Sequence, residues 1–365
     1  MTFSATEARF MARALTLAGK GLFTTDPNPR VGCVVVKGGT IVGEGWHARA
    51  GEPHAEVLAL SQAGERARDA DLFVTLEPCN HYGRTPPCTD AVLGAGVRRV
   101  VCAMQDPNPM TDGKGIARLR AGGIEVDIGL LEAQAQALNP GFICRTRRGR
   151  PYVRVKIGAS LDGRIAMASG ESQWITGNAA RADVQRLRAR SSAIVTGIGT
   201  VLADDPMLSV RNWDIGRQPL RVVLDSRLRM PPDAQMLRQP GRTLIATASN
   251  DAQRAQALTG AGAEIARLPG IDGRTDLSQL MQFLAKFSLN EVLVEAGAQV
   301  TGAFLTAGLV DELVVYLAPT LLGDAGQGMF HLPEVRELAD RYDLQVTDVR
   351  AIGTDWRMMA RIIDR

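Results

Sequence analysis

The chain has 365 residues, 45% of them hydrophobic and 22% charged, with a formal net charge of +3 at pH 7. That length exceeds one typical core and argues for two domains of ordinary soluble globular composition. The small net charge gives no footing for a nucleic-acid or anionic-membrane partner, and no apolar run is long enough to span a bilayer. Aromatics are sparse at 5% and glycines number 38, which suits α/β architecture with many tight connections. The first residues, "MTFSATEARFMARALTLAGKG", are too polar for a secretory signal and read as an amphipathic helix. The cysteines number five, an odd count that makes no disulfide framework, so a reducing cytoplasm is the expected setting.

In chain order, a helix from Ala5 to Ala18 leads into the loop "TTDPNPRVG". The β-rich runs "VGCVVVK" and "IVGEGWH" follow, joined across Gly38-Gly39 as a hairpin. A helix begins after Pro53 ("HAEVLALSQAG"). Strands at "DLFVTLEP", "RRVVCAM" and "IEVDIG" then alternate with helices at "CTDAVLGAG", "GKGIARLRAGG" and "EAQAQALNPGFICR". This order implies a partly parallel sheet covered by helices on both faces. The basic run "CRTRRGRPY", Cys144 to Tyr152, breaks the pattern and reads as a linker, giving domains at 1–146 and 147–365. Beyond it, "YVRVKIGAS", "SAIVTGIG", "LRVVLDS", "TLIATAS", "NEVLVEAG" and "DELVVYLAP" read as strands. Helical stretches fall around Ala179–Arg190, Asp276–Phe287 and Val300–Ala307, and the end of the chain reads as two strands in an antiparallel return. There is no internal repeat and no low-complexity tract.

Cys33 and Cys102 sit inside apolar strand patterns and suit burial as small hydrophobes. Cys79 and Cys88 fall at a turn and a helix start, where free N–H groups and the helix dipole stabilise thiolates. Catalytic zinc takes three protein ligands and keeps a fourth position for water. His54, opening a helix after Pro53, can supply the third ligand, and Glu56 follows on the same turn. Zinc lowers the pKa of a water it holds to roughly 7, so a nearby carboxylate can take the proton and pass it on. His54-Ala55-Glu56 followed by Pro78-Cys79 matches the H-x-E and P-C parts of the zinc base-deaminase pattern. The second cysteine departs from it, with "NHYGRTPP" inserted between the thiols. That insert carries Asn80, His81, Arg84 and Thr85, donors suited to a heterocycle or a phosphate. The "DPNP" repeats at Asp26 and Asp106 suit the same task, or simple turns.

"PNPRVGCV", "HAEVLAL", "EPCNHYGRTPPC" and "DPNP", in this order, resemble the deaminase domain of the bifunctional riboflavin-biosynthesis deaminase–reductase family. The resemblance implies a cytidine-deaminase-like three-layer α/β/α domain in which His54, Cys79 and Cys88 bind zinc and Glu56 is the proton shuttle. It also implies that Asn28, His81, Arg84 and Asn108 meet a pyrimidine ribotide.

The second half has no G-x-G-x-x-G, so a Rossmann domain is not indicated. In "EVLVEAGAQVTGAFL" an apolar strand ends in Glu295, and a small-residue turn feeds a helix whose N-terminus could receive a phosphate. "KIGASLDGRIA", "SQWITG", "DDPMLSVR", "VVLDS" and "LVEAGAQVTGAFL" resemble the reductase domain of the same family, whose fold is similar to dihydrofolate reductase. The resemblance covers nearly the whole chain. It implies NADPH contacts at Gly158, Trp174, Thr200, Asp204, Ser226 and the segment Gly297, Ala298, Gln299, Val300, Thr301, Gly302 and Ala303. It implies substrate contacts at Ser172, Arg188, Leu208, Arg211 and Glu295. Arg188 and Arg211 suit a ribose phosphate, because guanidinium binds phosphate through paired hydrogen bonds. Lys156, on a strand ahead of the Asp162-Gly163 turn, is expected as an electrostatic or acid partner in reduction.

The expected chemistry is deamination of 2,5-diamino-6-ribosylamino-4(3H)-pyrimidinone 5′-phosphate, then NADPH-dependent reduction of its ribosyl group. The expected partner is that small molecule, with no nucleic acid or membrane, in a homo-oligomer. A nucleic-acid base deaminase would need a basic, aromatic-bearing face, which the charge and the few aromatics do not supply. A closed structural zinc site would need a fourth His or Cys ligand where Glu56 stands.

Overall fold

The computed structural model describes residues 3–83, 85–211, 213 and 215–363. The chain divides into two compact units at Gly149–Arg150. Among the described residues no helix is long and apolar enough to cross a membrane.

The first unit opens with helix α1 (Ala5–Gly19), started by a capping box. Ser4 Oγ accepts from the Glu7 amide at 3.2 Å, and Glu7 Oε2 accepts from the Ser4 amide at 2.8 Å. Strands β1 (Gly32–Lys37) and β2 (Thr40–Trp46) form the expected hairpin; Gly38 and Gly39 take φ of 57° and 77°, the left-handed pair that a tight hairpin needs. The rest alternates as α2 (Ala55–Ala63), β3 (Asp71–Val74), α3 (Cys88–Ala95), β4 (Arg99–Cys102), α4 (Lys114–Ala121), β5 (Glu125–Ile128), α5 (Glu132–Leu138) and α6 (Pro140–Arg148). The sheet order is β2-β1-β3-β4-β5, antiparallel in its first two pairings and parallel in the last two. Successive side chains alternate between faces. Cys33, Val35, Leu72, Val74, Val100 and Cys102 therefore pack with residues of α2, α3 and α4, whereas Val34, Phe73 and Val101 pack with Met11, Leu17 and Phe142. The result is the cytidine-deaminase-like three-layer α/β/α domain.

The second unit contains β6 (Tyr152–Ser160), β7 (Arg164–Ala166), α7 (Asn178–Arg190), β8 (Ala193–Gly197), α8 (Ile198–Asp204), β9 (Leu220–Leu224) and β10 (Thr243–Thr247). It continues through α9 (Ala252–Gly260), β11 (Ala263–Arg267), α10 (Leu277–Lys286), β12 (Glu291–Val294), α11 (Ala298–Thr306), β13 (Glu312–Ala318), β14 (Gln327–Gly328), β15 (Leu344–Ile352) and β16 (Asp355–Ile362). Nine strands form one sheet in the order β11-β10-β9-β8-β12-β6-β13-β16-β15; all pairings are parallel up to β13, and the last two strands return antiparallel. β7 and β14 make a separate small ribbon. The second unit is thus α/β like the first, built on one mostly parallel sheet.

Two readings are corrected. The basic run Cys144–Tyr152 is no linker: it ends helix α6, caps it at Gly149 with φ 66°, and enters β6 at Tyr152. Phe142 and Cys144 bury one face of that helix, which fixes it despite the arginines on the other. The expected helix "EAQAQALNPGFICR" is two helices, interrupted at Asn139 (φ −122°), whose side chain bonds the Arg30 backbone instead.

Candidate active sites

In the first unit, α2 lies directly on β2 because Gly43 and Gly45 leave room. A Cβ at Gly45 would stand 2.3 Å from the Ala55 carbonyl oxygen, and one at Gly43 2.1 Å from that of Ala59. His54 caps this helix in extended conformation, and Glu56 lies in its first turn. Cys79 follows β3 on the loop "LEPC", and Cys88 is the first residue of α3. The three converge: His54 Nδ1 is 3.1 Å from Cys88 Sγ and 3.6 Å from Cys79 Sγ, and all three donor atoms lie within 4.8 Å of one another. Tetrahedral zinc, with bonds of about 2.0–2.3 Å to nitrogen and sulfur, needs separations of this size.

The electrostatics favour a cation. The Cys79 thiol is pulled down to about 4, chiefly by a hydrogen bond from Cys88, with help from His54 and the Cys88 amide at 3.3 Å. Cys88 is pushed up as it holds the proton of that pair, and His54 is raised by its bond to Cys79. Glu56 is 3% exposed, and its Oε2 has no hydrogen-bond partner. Burial, then the Cys79 charge, raises its pKa to about 7. It is therefore a carboxyl poised to exchange a proton near neutrality. Donor set, spacing and thiolate character fit zinc.

The structure fixes two of the expected asparagines. Asn28 Nδ2 lies 3.0 Å from His47 Nε2, and His47 Nδ1 lies 3.3 Å from the Pro53 carbonyl oxygen. That arrangement makes Nδ1 the protonated nitrogen and Nε2 the acceptor, a neutral imidazole in keeping with the downward shift that burial imposes on His47. Asn28 thus turns its Oδ1 away from His47. Asn108 does the reverse: its Oδ1 accepts the Met110 amide at 3.1 Å, and its Nδ2 has no protein acceptor among the described residues. His81 keeps a buried Nδ1 without a partner. Arg84 lies outside the described residues. Asn80 faces inward, its Oδ1 accepting from Thr89 Oγ1 at 3.1 Å and Arg118 Nη1 at 2.8 Å. Sequence reasoning missed His47 and Glu77, a buried carboxylate two positions before Cys79.

In the second unit a cavity of about 810 Å³ opens along the ends of β6, β8 and β12. Of the expected residues, Lys156, Gly158, Ser172, Trp174, Arg188, Thr200, Asp204, Leu208, Arg211, Glu295, Gly297, Ala298, Gln299 and Val300 all line it. Ser226, Thr301, Gly302 and Ala303 do not. Ser226 Oγ accepts the Thr275 amide at 2.9 Å, and Thr301 Oγ1 donates to the Met329 carbonyl at 2.9 Å. Gly302 is a packing position, since a Cβ there would stand 2.0 Å from the His331 carbonyl oxygen. Gln173, Gln235 and Gln327 line the cavity without having been singled out in the sequence. Their signal, a glutamine in a loop, is too common to read.

Glu295 continues β12, its amide donating to the Val195 carbonyl at 2.9 Å, and is 8% exposed. Arg188 Nε and Nη2 donate to its two oxygens at 2.6 and 3.0 Å, and Lys156 Nζ lies 3.7 Å away. Burial alone would raise the Glu295 pKa; the Arg188 and Lys156 charges outweigh it, and the net shift is downward. Helices α8 and α11 start at this cavity from Gly197 and Gly297, which offer no capping side chain to their first amides. A Cβ at Gly197 would stand 2.8 Å from Val300 Cγ2, while nothing lies within 4 Å of one at Gly297. Bare helix starts beside a roomy cavity fit the phosphates of NADPH.

Comparison with known proteins agrees with both halves. Residues 151–358 match the family model described as the RibD C-terminal domain, and residues 4–104 match the cytidine and deoxycytidylate deaminase zinc-binding region. The chain is 52% identical over 361 residues to riboflavin biosynthesis protein RibD of Escherichia coli (strain K12), spanning 95% of this chain and 96% of that protein. The structure of Acinetobacter baumannii RibD, form 1, superposes with a TM-score of 0.91 at 46% identity, covering 98% of this chain and 99% of that one. A diaminohydroxyphosphoribosylaminopyrimidine deaminase/5-amino-6-(5-phosphoribosylamino)uracil reductase from Thermotoga maritima gives 0.87 at 34% identity, with the same coverage. Fold and sites together define a two-part enzyme, a zinc deaminase followed by a reductase. The chain belongs to the RibD family of bifunctional riboflavin-biosynthesis enzymes, and its cofactors are zinc and NADPH.

Proposed function

We propose that the first unit deaminates 2,5-diamino-6-ribosylamino-4(3H)-pyrimidinone 5′-phosphate at C2 and that the second reduces the ribosyl group of the product. The observation that carries the deaminase reading is the buried Glu56 carboxyl, its Oε2 without a partner, beside a preformed His54–Cys79–Cys88 donor set. Zinc, when bound, acidifies water and so supplies the nucleophile. Glu56 takes the water's proton and returns protons to the ring nitrogen and the departing amine, so that ammonia leaves as C2 becomes a carbonyl. Asn28 offers an acceptor and Asn108 a donor to the polar edge of the pyrimidinone, with His81 and Arg84 as further substrate contacts.

In the second unit NADPH supplies hydride for C1′ of the opened ribosylamine. Lys156 stands as the cationic or acid group at that carbon's nitrogen, held by Glu295. Arg211 and Ser172 meet the ribotide together with Leu208, Arg188 and Glu295. Gly158, Trp174, Thr200, Asp204 and the start of the Gly297–Ala303 segment, from Gly297 to Val300, hold the dinucleotide. The deaminase reading is tested by ammonia release from the ribotide without NADPH; no release by zinc-loaded protein contradicts it.

The working form is a homo-oligomer in the cytoplasm. The support is an apolar face on the last two strands, where Leu344, Val346, Val349 and Trp356 are 45–53% exposed. Lysine at Val349 and Trp356 is expected to yield monomers by light scattering; an unchanged mass contradicts this use of the face.

A further inference from the structure

The carboxylate of Glu77 is 3% exposed and meets no cationic side chain among the described residues. It is satisfied instead by backbone amides: Oε2 accepts from Asp106 at 3.1 Å and Gly113 at 3.0 Å, and Oε1 from Gly115 at 2.9 Å and Ile116 at 3.1 Å. Gly113 is the N-cap of α4, so the anion occupies the helix start, where its charge is stabilised. The fit is close: a Cβ at Gly115 would stand 2.2 Å from the Pro78 carbonyl oxygen. One residue beyond Pro78 is the ligand Cys79.

The same anchor reaches Asn108, which the deaminase reading above places against the ribotide. The Asp106 carboxylate accepts the Asn108 amide at 2.9 Å, and Asn108 Oδ1 is taken by the Met110 amide at 3.1 Å. The Asn108 carbonyl in turn accepts the Thr111 and Asp112 amides at 2.8 and 2.9 Å. Every link from Glu77 to Asn108 is therefore a hydrogen bond to a fixed backbone group, and Asn108 Nδ2 is left with no acceptor among the described residues. The ligand loop is braced separately, by Cys88 N–H on Cys79 Sγ at 3.3 Å and by the Asn80 side chain on Thr89 and Arg118.

We propose that Glu77 is a positioning residue for substrate recognition in deamination: its charge pins the Asp106–Ile116 segment so that Asn108 Nδ2 is aimed at an acceptor on the pyrimidine ribotide. This rests on the deaminase reading above. Glu77→Gln presents an NH₂ donor to two backbone donors and frees the segment, while the metal ligands keep their own braces.

The test is steady-state deamination of the diaminopyrimidinone ribotide by zinc-loaded wild type, Glu77→Gln, Asn108→Ala and the double variant, with zinc counted per chain. If Asn108 binds ground and transition states alike, its loss appears in KM and not in kcat. Glu77→Gln is expected to keep its zinc, keep kcat within a few-fold and raise KM by about 10²-fold. The double variant is expected to be no worse than Asn108→Ala alone, because the two act as one unit. Multiplied losses, a fall in kcat at unchanged KM, or loss of zinc would each overturn the proposal. If Glu77→Gln does not fold, Glu77→Asp, which keeps the charge but falls one methylene short, is read by the same split. Wild type that releases no ammonia is failure of the deaminase reading itself, and is seen before any variant is compared.

Discussion

Arg188 and Glu295 meet through two hydrogen bonds, Nε to Oε1 at 2.6 Å and Nη2 to Oε2 at 3.0 Å, although 107 positions separate them. The third donor of the guanidinium, Nη1, reaches the Ser209 carbonyl at 3.1 Å. Arg188 thereby ties the strand end that carries Glu295 to the loop that carries Leu208 and Arg211. Its geometry adds an internal duty to the phosphate contact expected from sequence.

Glu295→Gln removes one partner of this pair, whose side chains are only 13% and 8% exposed. An uncompensated buried charge costs about 3 kcal/mol or more. The expected result is a lower melting temperature and a reduction rate down about 10²-fold, with ammonia release untouched. The pair also fixes a pH expectation. The Glu295 pKa is depressed by folding, so its contribution is complete above its ordinary value of about 4.3 and fades only as pH falls below it. Reduction measured from pH 6 to 9 should show no break from this carboxyl.

Lys156 Nζ lies 3.7 Å from Glu295 Oε2 at the cavity wall. Lys156→Ala is expected to cut NADPH oxidation with the deaminated ribotide by about 10²-fold, the size of a lost acid or charge partner. Unchanged reduction would take Lys156 out of the mechanism.

Glu56→Gln keeps the shape of the side chain and removes its proton-accepting charge. The variant should hold one zinc per chain and lose about 10²–10⁴-fold in ammonia release. Hydride transfer to the deaminated product should continue at the wild-type rate. Normal ammonia release from the zinc-loaded variant contradicts the role.

Zinc removal should separate the halves. Chelation, or Cys88→Ser, leaves the Cys79 thiolate and the buried Glu56 side by side with no metal between them. Calorimetry is expected to show a lower first transition, restored by added zinc, because binding energy at a preformed site is folding energy. NADPH oxidation should survive chelation.

Much of this was legible in the sequence where the signal is local. β6 runs from Tyr152 to Ser160, as the apolar run indicated, and the two last strands return antiparallel. His54, Glu56, Cys79 and Cys88 could be read because a histidine, a glutamate and two cysteines stand in one order, and the pattern demands they meet. What could not be read is pairing at a distance. Glu77 bonds amides 29 to 39 positions away, and Asn139 ends α5 by bonding Arg30, 109 positions back. β11, "AEIAR", carries too few apolar residues to announce a strand; it forms because β10 offers a parallel edge along Thr243–Thr247. The basic run at 144–148 looked solvated because its charges dominate, while the burial of Phe142 and Cys144 decides the helix.

The central claim is that one chain performs two successive reactions on one small molecule. Mass spectrometry of products, after zinc-loaded protein is incubated with the diaminopyrimidinone ribotide with and without NADPH, tests it most directly. The expected result is an amine-to-oxo change without NADPH, followed by gain of two hydrogens once NADPH is added. Substrate recovered unchanged from both tubes, with zinc still bound, would contradict the account.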